Sequence, residues 1–237
     1  LDAASATRLG RRLAGAGRLD DAILLFELAV DGSDEPAAAD ARALELGVLQ
    51  LANRAYPAAV RTLAHVEEFG EGAVRARARR LRCIAHVHAL DADAARACAA
   101  VELAPVTLQR EDVRDALDDL AIDPGVRRWV GGSLSALFPG LGQMTAGEPG
   151  DGALALIVNG GWGTGFGLLV ADGAALDATL LFVGFGMRYW IGNVQHGAAA
   201  WQRRAVSRQR AAARVLEDRL VSEPSPRADG PGPDPSP

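Results

Sequence analysis

Lysine is missing from this chain, and all 25 of its basic side chains are arginine. A phosphate-binding loop that ends in Lys-Ser or Lys-Thr is therefore excluded. The glycine-rich run GGWGTGFG (161–167 and its preceding glycine) lacks both that lysine and the strand-turn-helix setting of a dinucleotide site. Cysteine is scarce: Cys83 and Cys98 alone supply neither a disulfide framework nor a zinc site. If residues 75–101 form a helical hairpin turning near Asp91, the two thiols lie at similar depth on facing helices, which fits either a bridge or two small buried side chains. No Ser-His-Asp or Cys-His constellation is apparent, so no catalytic residue and no cofactor is expected. Cys83 and His86 share a helix face, but His88 points elsewhere and no fourth ligand is in view, so no metal is expected. The net charge of -5 gives no argument for nucleic acid.

Charge is also nearly absent from residues 129–202, which carry five charged side chains, whereas the preceding half mixes charge with Ala and Leu. That preceding half repeats itself. LGRRLAGAGRLDDAILLFELAV (Leu9 to Val30), LGVLQLANRAYPAAVRTLAHV (Leu46 to Val66) and LRCIAHVHALDADAARACAAV (Leu81 to Val101) each predict a helix, a polar or proline-bearing turn and a second helix. Aligning Ala22, Ala59 and Ala94 gives intervals of 37 and 35 residues, close to the tetratricopeptide period of about 34.

Leu9-Gly10 and Leu46-Gly47 in first helices, with Ala22, Phe26 and Ala29 in a second helix, carry a resemblance of residues 1–108 to tetratricopeptide repeats. Leu81-Arg82 and Cys98 depart from that pattern, and a plain antiparallel helical array bears the same periodicity. The resemblance implies a concave face at Thr7, Arg11, Leu44, Val48, Arg79, Cys83 and His86, where arginine grips a carboxylate of a protein or peptide partner. The run RARARRLR (75–82) either extends this patch or is a solvated helix face. Residues 109–126, with EDVRDALDDLAID, read as a solvated connector helix ended by Asp123-Pro124-Gly125.

Residues 127–193 read as a membrane hairpin domain. The 20 residues from Gly152 to Ala171 carry no charge, enough for a helix of about 30 Å across a bilayer core. A second apolar run, Ala174 to Ile191, is interrupted by Arg188, and Arg188, Tyr189 and Trp190 suit an interfacial boundary. Gly161 with Gly165, and Gly163 with Gly167, form strips that admit a close neighbour, while Asn159 is placed to hydrogen-bond across helices. Before them, FPGLGQMTAGEPGDG holds two prolines and five glycines. A lipid-exposed break would leave backbone groups unpaired, so this stretch is expected to turn a short re-entrant or interfacial helix back toward the first span.

Pro139, Gly140, Gly142 and Gln143, followed by Ala146-Gly147, Asp151-Gly152, Asn159-Gly160 and YWIGN (189–193), resemble the C-terminal membrane region of bacterial tetratricopeptide proteins that share a Pro-Gly-x-Gly-Gln motif. Arginine usage and abundant alanine, which read as a GC-rich coding bias, agree with a bacterial source. Thr145 departs from the usual Tyr. The resemblance implies an all-α protein with two transmembrane helices in the bacterial inner membrane and no established enzymatic activity. Its architecture fits an adaptor that binds a protein or peptide, or an oligomeric pore or transport component in which glycine strips join several copies. Arginines on both flanks place both ends in the cytoplasm, whereas relatives of this kind often begin with a signal peptide, which puts the repeats outside. The chain begins at Leu1, and the side of the repeats stays open. Residues 194–220 predict a basic amphipathic helix on anionic headgroups, and residues 221–237 a disordered tail.

Overall fold

The computed structural model describes residues 2–224 and Pro226, and among these every regular element is a helix and none is a strand. The expected tail at 221–237 falls mostly outside the described residues. The chain divides into two compact units: residues up to Ala121 together with those from Arg210 onward, and Ile122–Gln209.

The first unit begins with three hairpins, α1 (Ala3–Gly15) with α2 (Leu19–Asp31), α3 (Pro36–Ala52) with α4 (Tyr56–Phe69), and α5 (Gly72–His88) with α6 (Ala92–Glu102). Local chemistry starts several of these helices. The Asp2 and Asp91 carboxylates accept the Ser5 and Ala94 N–H groups at 2.7 and 3.1 Å, and prolines occupy the first turns of α3 and α4. Each hairpin turns through one left-handed residue, Gly17 (φ 77°), Arg54 (φ 60°) or Leu90 (φ 59°). The following N–H returns to a carbonyl five residues back: Arg18 to Leu13 at 2.9 Å, Ala55 to Gln50 at 2.8 Å and Asp91 to His86 at 3.1 Å. All three helices thus end in the same Schellman closure.

These turns fix the register between hairpins at 37 and then 36 residues. They correct the alignment on Ala94 by one position: Ala22 and Ala59 correspond to Ala95, and all three are fully buried. The position of Gly10 and Gly47 falls on Cys83, not on Arg82. A Cβ on Gly10 would lie 2.9 Å from the Phe26 ring and one on Gly47 2.5 Å from Leu63, so glycine there admits a large opposing side chain. In the third hairpin the buried Cys83 corresponds to that glycine, and the smaller Ala99 to Phe26 and Leu63. The buried apolar pairs Ala6 with Ala29 and Ala43 with Val66 become Arg79 with Glu102.

After the short helix α7 (Pro105–Leu108), helix α8 (Glu111–Leu120) corrects the solvated-connector reading. Its Val113, Ala116, Leu117 and Leu120 are buried in one core with Cys83, Val87, Ala99, Leu216 and Leu220, while Asp112, Asp115 and Asp118 face solvent. An acidic helix with apolar residues at helical spacing has one face to bury. Asp123-Pro124-Gly125 opens a helix instead of only ending one, since the Asp123 carboxylate accepts the Gly125 N–H at 2.7 Å and Pro124 is the first helical residue.

The second unit holds α9 (Pro124–Leu137), α10 (Leu141–Ala146), α11 (Pro149–Ala171) and α12 (Ala175–Leu181), then a π-turn (Phe182–Gly186) and the first part of α13 (Met187–Ser222). Among the described residues one helix, the 23-residue α11, is long and apolar enough to cross a membrane. The second apolar run does not form a helix of its own. It is divided among α12, the π-turn and the start of α13. The later part of α13 turns its apolar face inward: Ala212, Ala213, Leu216 and Leu220 are buried in the first unit's core, so that face is not free for headgroups.

Helix register also places Arg188 beside the middle of α11. Leu181 lies 3.5 Å from the Cβ position of Gly165, Trp162 abuts Gly186, and Arg203 donates to Glu148 at 2.8 Å. Arg188 is therefore level with Asn159 and Gly160, about 15 Å of helix from Pro149. The apolar run ends at Ile191, but α13 continues alongside α11 as far as Arg203.

Candidate functional site

The concave-face residues separate into two depressions on the first unit. Arg11, Leu44 and Val48 line one of about 230 Å³, with Phe26, Glu45 and Arg77. Arg11 is already held, its Nε donating to a Glu45 carboxylate oxygen at 2.9 Å. That bond and the adjacent charge raise the Arg11 pKa further, and Arg77 is the lining cation without an ion pair among the described residues. Thr7 is buried, its hydroxyl donating to the Ala3 carbonyl at 2.7 Å.

The second depression, about 380 Å³, is lined by Arg79 and His86 together with Glu67, Arg82, Cys98 and Glu102. Arg79 donates to the fully buried Glu102, Arg82 pairs with Glu67 at 2.9 Å, and His86 Nδ1 lies 3.4 Å from Asp91. Cys83 sits beneath, in the core. Its hydrogen bond with Cys98 and its burial push the Cys83 thiol up, and the same bond holds that of Cys98 down. Both cysteines are free thiols. Turn register also shows why Arg79 and Cys83 are not equivalent to the other groove positions: Thr7 and Leu44 correspond to Arg80, and Arg11 and Val48 to Ile84. Glu67, Arg77 and Glu102 escape the sequence pattern because they act as partners of a position and not as members of the repeat.

In the second unit the Pro-Gly-x-Gly-Gln residues build a buried junction. Pro139 and Gly140 break the chain between α9 and α10, with Gly140 left-handed at φ 90°. The Gly140 N–H donates to Oδ1 of Asn193 at 3.1 Å, the Gln143 amide to the same oxygen at 3.0 Å, and the Asn193 amide to the Ser135 carbonyl at 2.8 Å. Ser135 Oγ completes the ring by donating to Gln143 Oε1 at 3.0 Å. Gly142 packs against Gly131, Ser135 and Gly197, leaving no room for a Cβ, and its carbonyl accepts the Trp201 indole N–H at 3.0 Å. A junction this close needs glycine and satisfied amides together.

The remaining motif residues lie along α11. Asp151 is exposed near its start and shares a groove of about 760 Å³ with Glu148, Arg188, His196 and Arg203. Asn159 does not reach across helices. Its amide donates to the Ala155 carbonyl at 2.7 Å and its oxygen accepts the Trp162 indole at 3.1 Å, all within α11. Gly165 faces Leu181, whereas Cβ atoms on Gly163 and Gly167 would meet nothing within 4 Å.

No family model, no curated protein and no solved structure matches this chain. Function is therefore read from this geometry.

Proposed function

We propose that the chain is a membrane-anchored adaptor, akin to bacterial tetratricopeptide membrane proteins, whose hairpin array binds a protein or peptide at the inner membrane. The observation that carries the reading is α11, whose most apolar 18-residue window is only 6% buried. Leu154, Leu156, Ile157, Leu168 and Val170 stand exposed on it, an apolar surface that a chain in water would cover. α11 and the helix returning from Ala175 form the anchor, and the exposed Trp129 and Leu137 of α9, with Phe138 just after it, reach the same bilayer. The partner's apolar side chain enters the depression floored by Phe26, Leu44 and Val48, with Arg77 for a carboxylate.

Flotation of the full chain with phosphatidylcholine vesicles tests the anchor: wild type floats, and Leu156→Arg/Ile157→Arg remains at the bottom of the gradient. A peptide library selected on detergent-solubilised protein tests the groove, with enriched peptides expected to lose binding to Val48→Glu. A chain that never floats, or peptides indifferent to Val48→Glu, would refute the corresponding half.

A second reading, an oligomeric transport component, draws on Arg188. It has no ion pair among the described residues, sits level with the middle of α11 and lines the polar groove. An ionisable side chain at that depth is costly and usually belongs to a pathway. Ion flux through reconstituted wild type that Arg188→Gln abolishes would favour it over the adaptor.

A further inference from the structure

Arg203 and Arg204 are neighbours on α13 with different fates. Arg203 is neutralised, donating to both carboxylate oxygens of Glu148 at 2.8 and 2.9 Å. Arg204 donates to the Thr145 carbonyl at 2.8 Å, a partner that orients the guanidinium and leaves its charge intact. Arg127 is held in a similar way, its guanidinium carbon 5.7 Å from the centroid of the Trp201 ring. That ring is itself fixed, since its N–H donates to the Gly142 carbonyl at 3.0 Å and to the Thr145 hydroxyl at 3.2 Å. Neither Arg127 nor Arg204 has an ion pair among the described residues.

Both cations line one depression of about 150 Å³ within the second unit, together with Ile122, Trp201, Ala205 and Arg208. No acidic side chain belongs to that lining. The Asp123 carboxylate, four residues before Arg127, accepts the Gly125 and Val126 N–H groups at the start of α9. Arg208 has a contact of its own and is not needed for the site. Two guanidinium groups that are oriented but not neutralised keep donors for an anion, and their planar fork suits phosphate oxygens.

Thr145 and Glu148, which hold Arg204 and Arg203, lie just before α11 begins at Pro149. The depression therefore sits at the end of the apolar helix, which is headgroup depth if α11 spans a bilayer. The first two turns of α9 add exposed apolar side chains, Val126, Trp129 and Val130. A free phosphate has no use for such a surface, whereas acyl chains do.

We propose that this depression seats the phosphate of an anionic phospholipid, bound by Arg127 and Arg204 and with its acyl chains along α9. The source of the phosphate rests on the anchor reading, since the same cations would accept a free phosphate. A zwitterionic lipid is a poorer ligand, because its own cation competes for the phosphate.

The full chain, delipidated in detergent, is titrated with phosphatidylglycerol, phosphatidylcholine and inorganic phosphate, and bound adducts are counted by native mass spectrometry. Phosphatidylglycerol is expected to bind at least about tenfold more tightly than either of the others. Arg127→Gln/Arg204→Gln should lose at least about tenfold in that affinity, the loss expected for one charged hydrogen bond. Arg128→Gln/Arg188→Gln removes the same charge outside this lining and should bind as wild type does. If the first variant does not fold, Arg127→Gln, which leaves the Thr145 bond in place, must show a loss of its own. Equal binding of phosphatidylcholine or inorganic phosphate, no loss in a folded variant, or an equal loss in the control would overturn the site. Flotation keeps the two readings apart. A chain that floats with phosphatidylcholine vesicles yet shows no preference for phosphatidylglycerol keeps its anchor and loses this site; one that prefers phosphatidylglycerol in detergent but never floats keeps the site and loses the anchor.

Discussion

The side-chain amide of Gln143 donates to Oδ1 of Asn193 at 3.0 Å across 50 residues of sequence. That bond ties the glycine-rich break after α9 to the start of α13. Asn193→Ala should strand the Gly140 N–H and the Ser135 carbonyl and leave the Gln143 amide only its 3.4 Å bond to the backbone carbonyl of residue 193, at about 1–3 kcal/mol for each group left unpaired. Thermal unfolding of the full chain in detergent should show a fall of many degrees. An unchanged midpoint would mean that the junction does not hold the second unit together.

Glycines in this unit should divide sharply by position. A Cβ on Gly131 would lie 2.5 Å from the Gly197 carbonyl and the Trp201 ring, whereas one on Gly163 meets nothing within 4 Å. Gly131→Ala is expected to cost about 1–3 kcal/mol through overpacking. Gly163→Ala should leave the monomer as stable or raise it by a few tenths, since alanine is the better helix former. Equal effects in the same melting assay would overturn the packing described for α9 and α13.

Leu90 and Arg54 hold the left-handed turn position that Gly17 fills in the first hairpin. Each bears roughly 1 kcal/mol of steric strain, and Leu90 is partly exposed, so little burial is lost with its side chain. Leu90→Gly should stabilise the chain by about 1 kcal/mol, and Leu90→Ala by none of the turn-derived part. Chemical denaturation of both variants checks the difference.

Asp112 sets an acid limit. Hydrogen bonds from Arg110 and Arg219 hold its carboxyl at about 2. Because the folded value lies below the ordinary one, its contribution is complete above the ordinary carboxylate value of about 4 and is lost as pH falls toward 2. Asp112→Asn should therefore be less stable than wild type at pH 6, and the two should converge near pH 2. A constant gap across that window, followed by circular dichroism, would count against this pairing.

Much of the first unit is legible in the sequence because its signals are local. Capping Asp2, Pro36 and Pro57, and apolar spacing around GRLDD and RAYPA, announce helices and turns without any knowledge of what they touch. Third-hairpin register is harder to read, since Leu90 occupies a conformation that sequence reserves for glycine and ALDAD offers no glycine to mark it. Burial of α8 and the end of α13 is hidden for another reason: each reads as charged by composition, and only the facing helix shows which stripe is covered. The same holds for the candidate sites. Arg11, Leu44 and Val48 do meet, yet the charge balance of their depression depends on Glu45, and that of the other on Glu67 and Glu102, whose parts become visible once helices are paired.

The π-turn at Phe182–Gly186, where the Met187 N–H reaches back to the Phe182 carbonyl, works as a phase shift. It inserts one residue beyond ordinary helical count, and one residue is about 100° of rotation. Deleting a residue there would act less as a shortening than as a twist. Leu181 would keep its place against Gly165, while Arg188, Asn193 and Trp201 would swing together to another azimuth, away from the groove, from Gln143 and from Gly142. Two faces that no uniform helix presents at once, one for α11 and one for the glycine junction, are thereby written on a single rod.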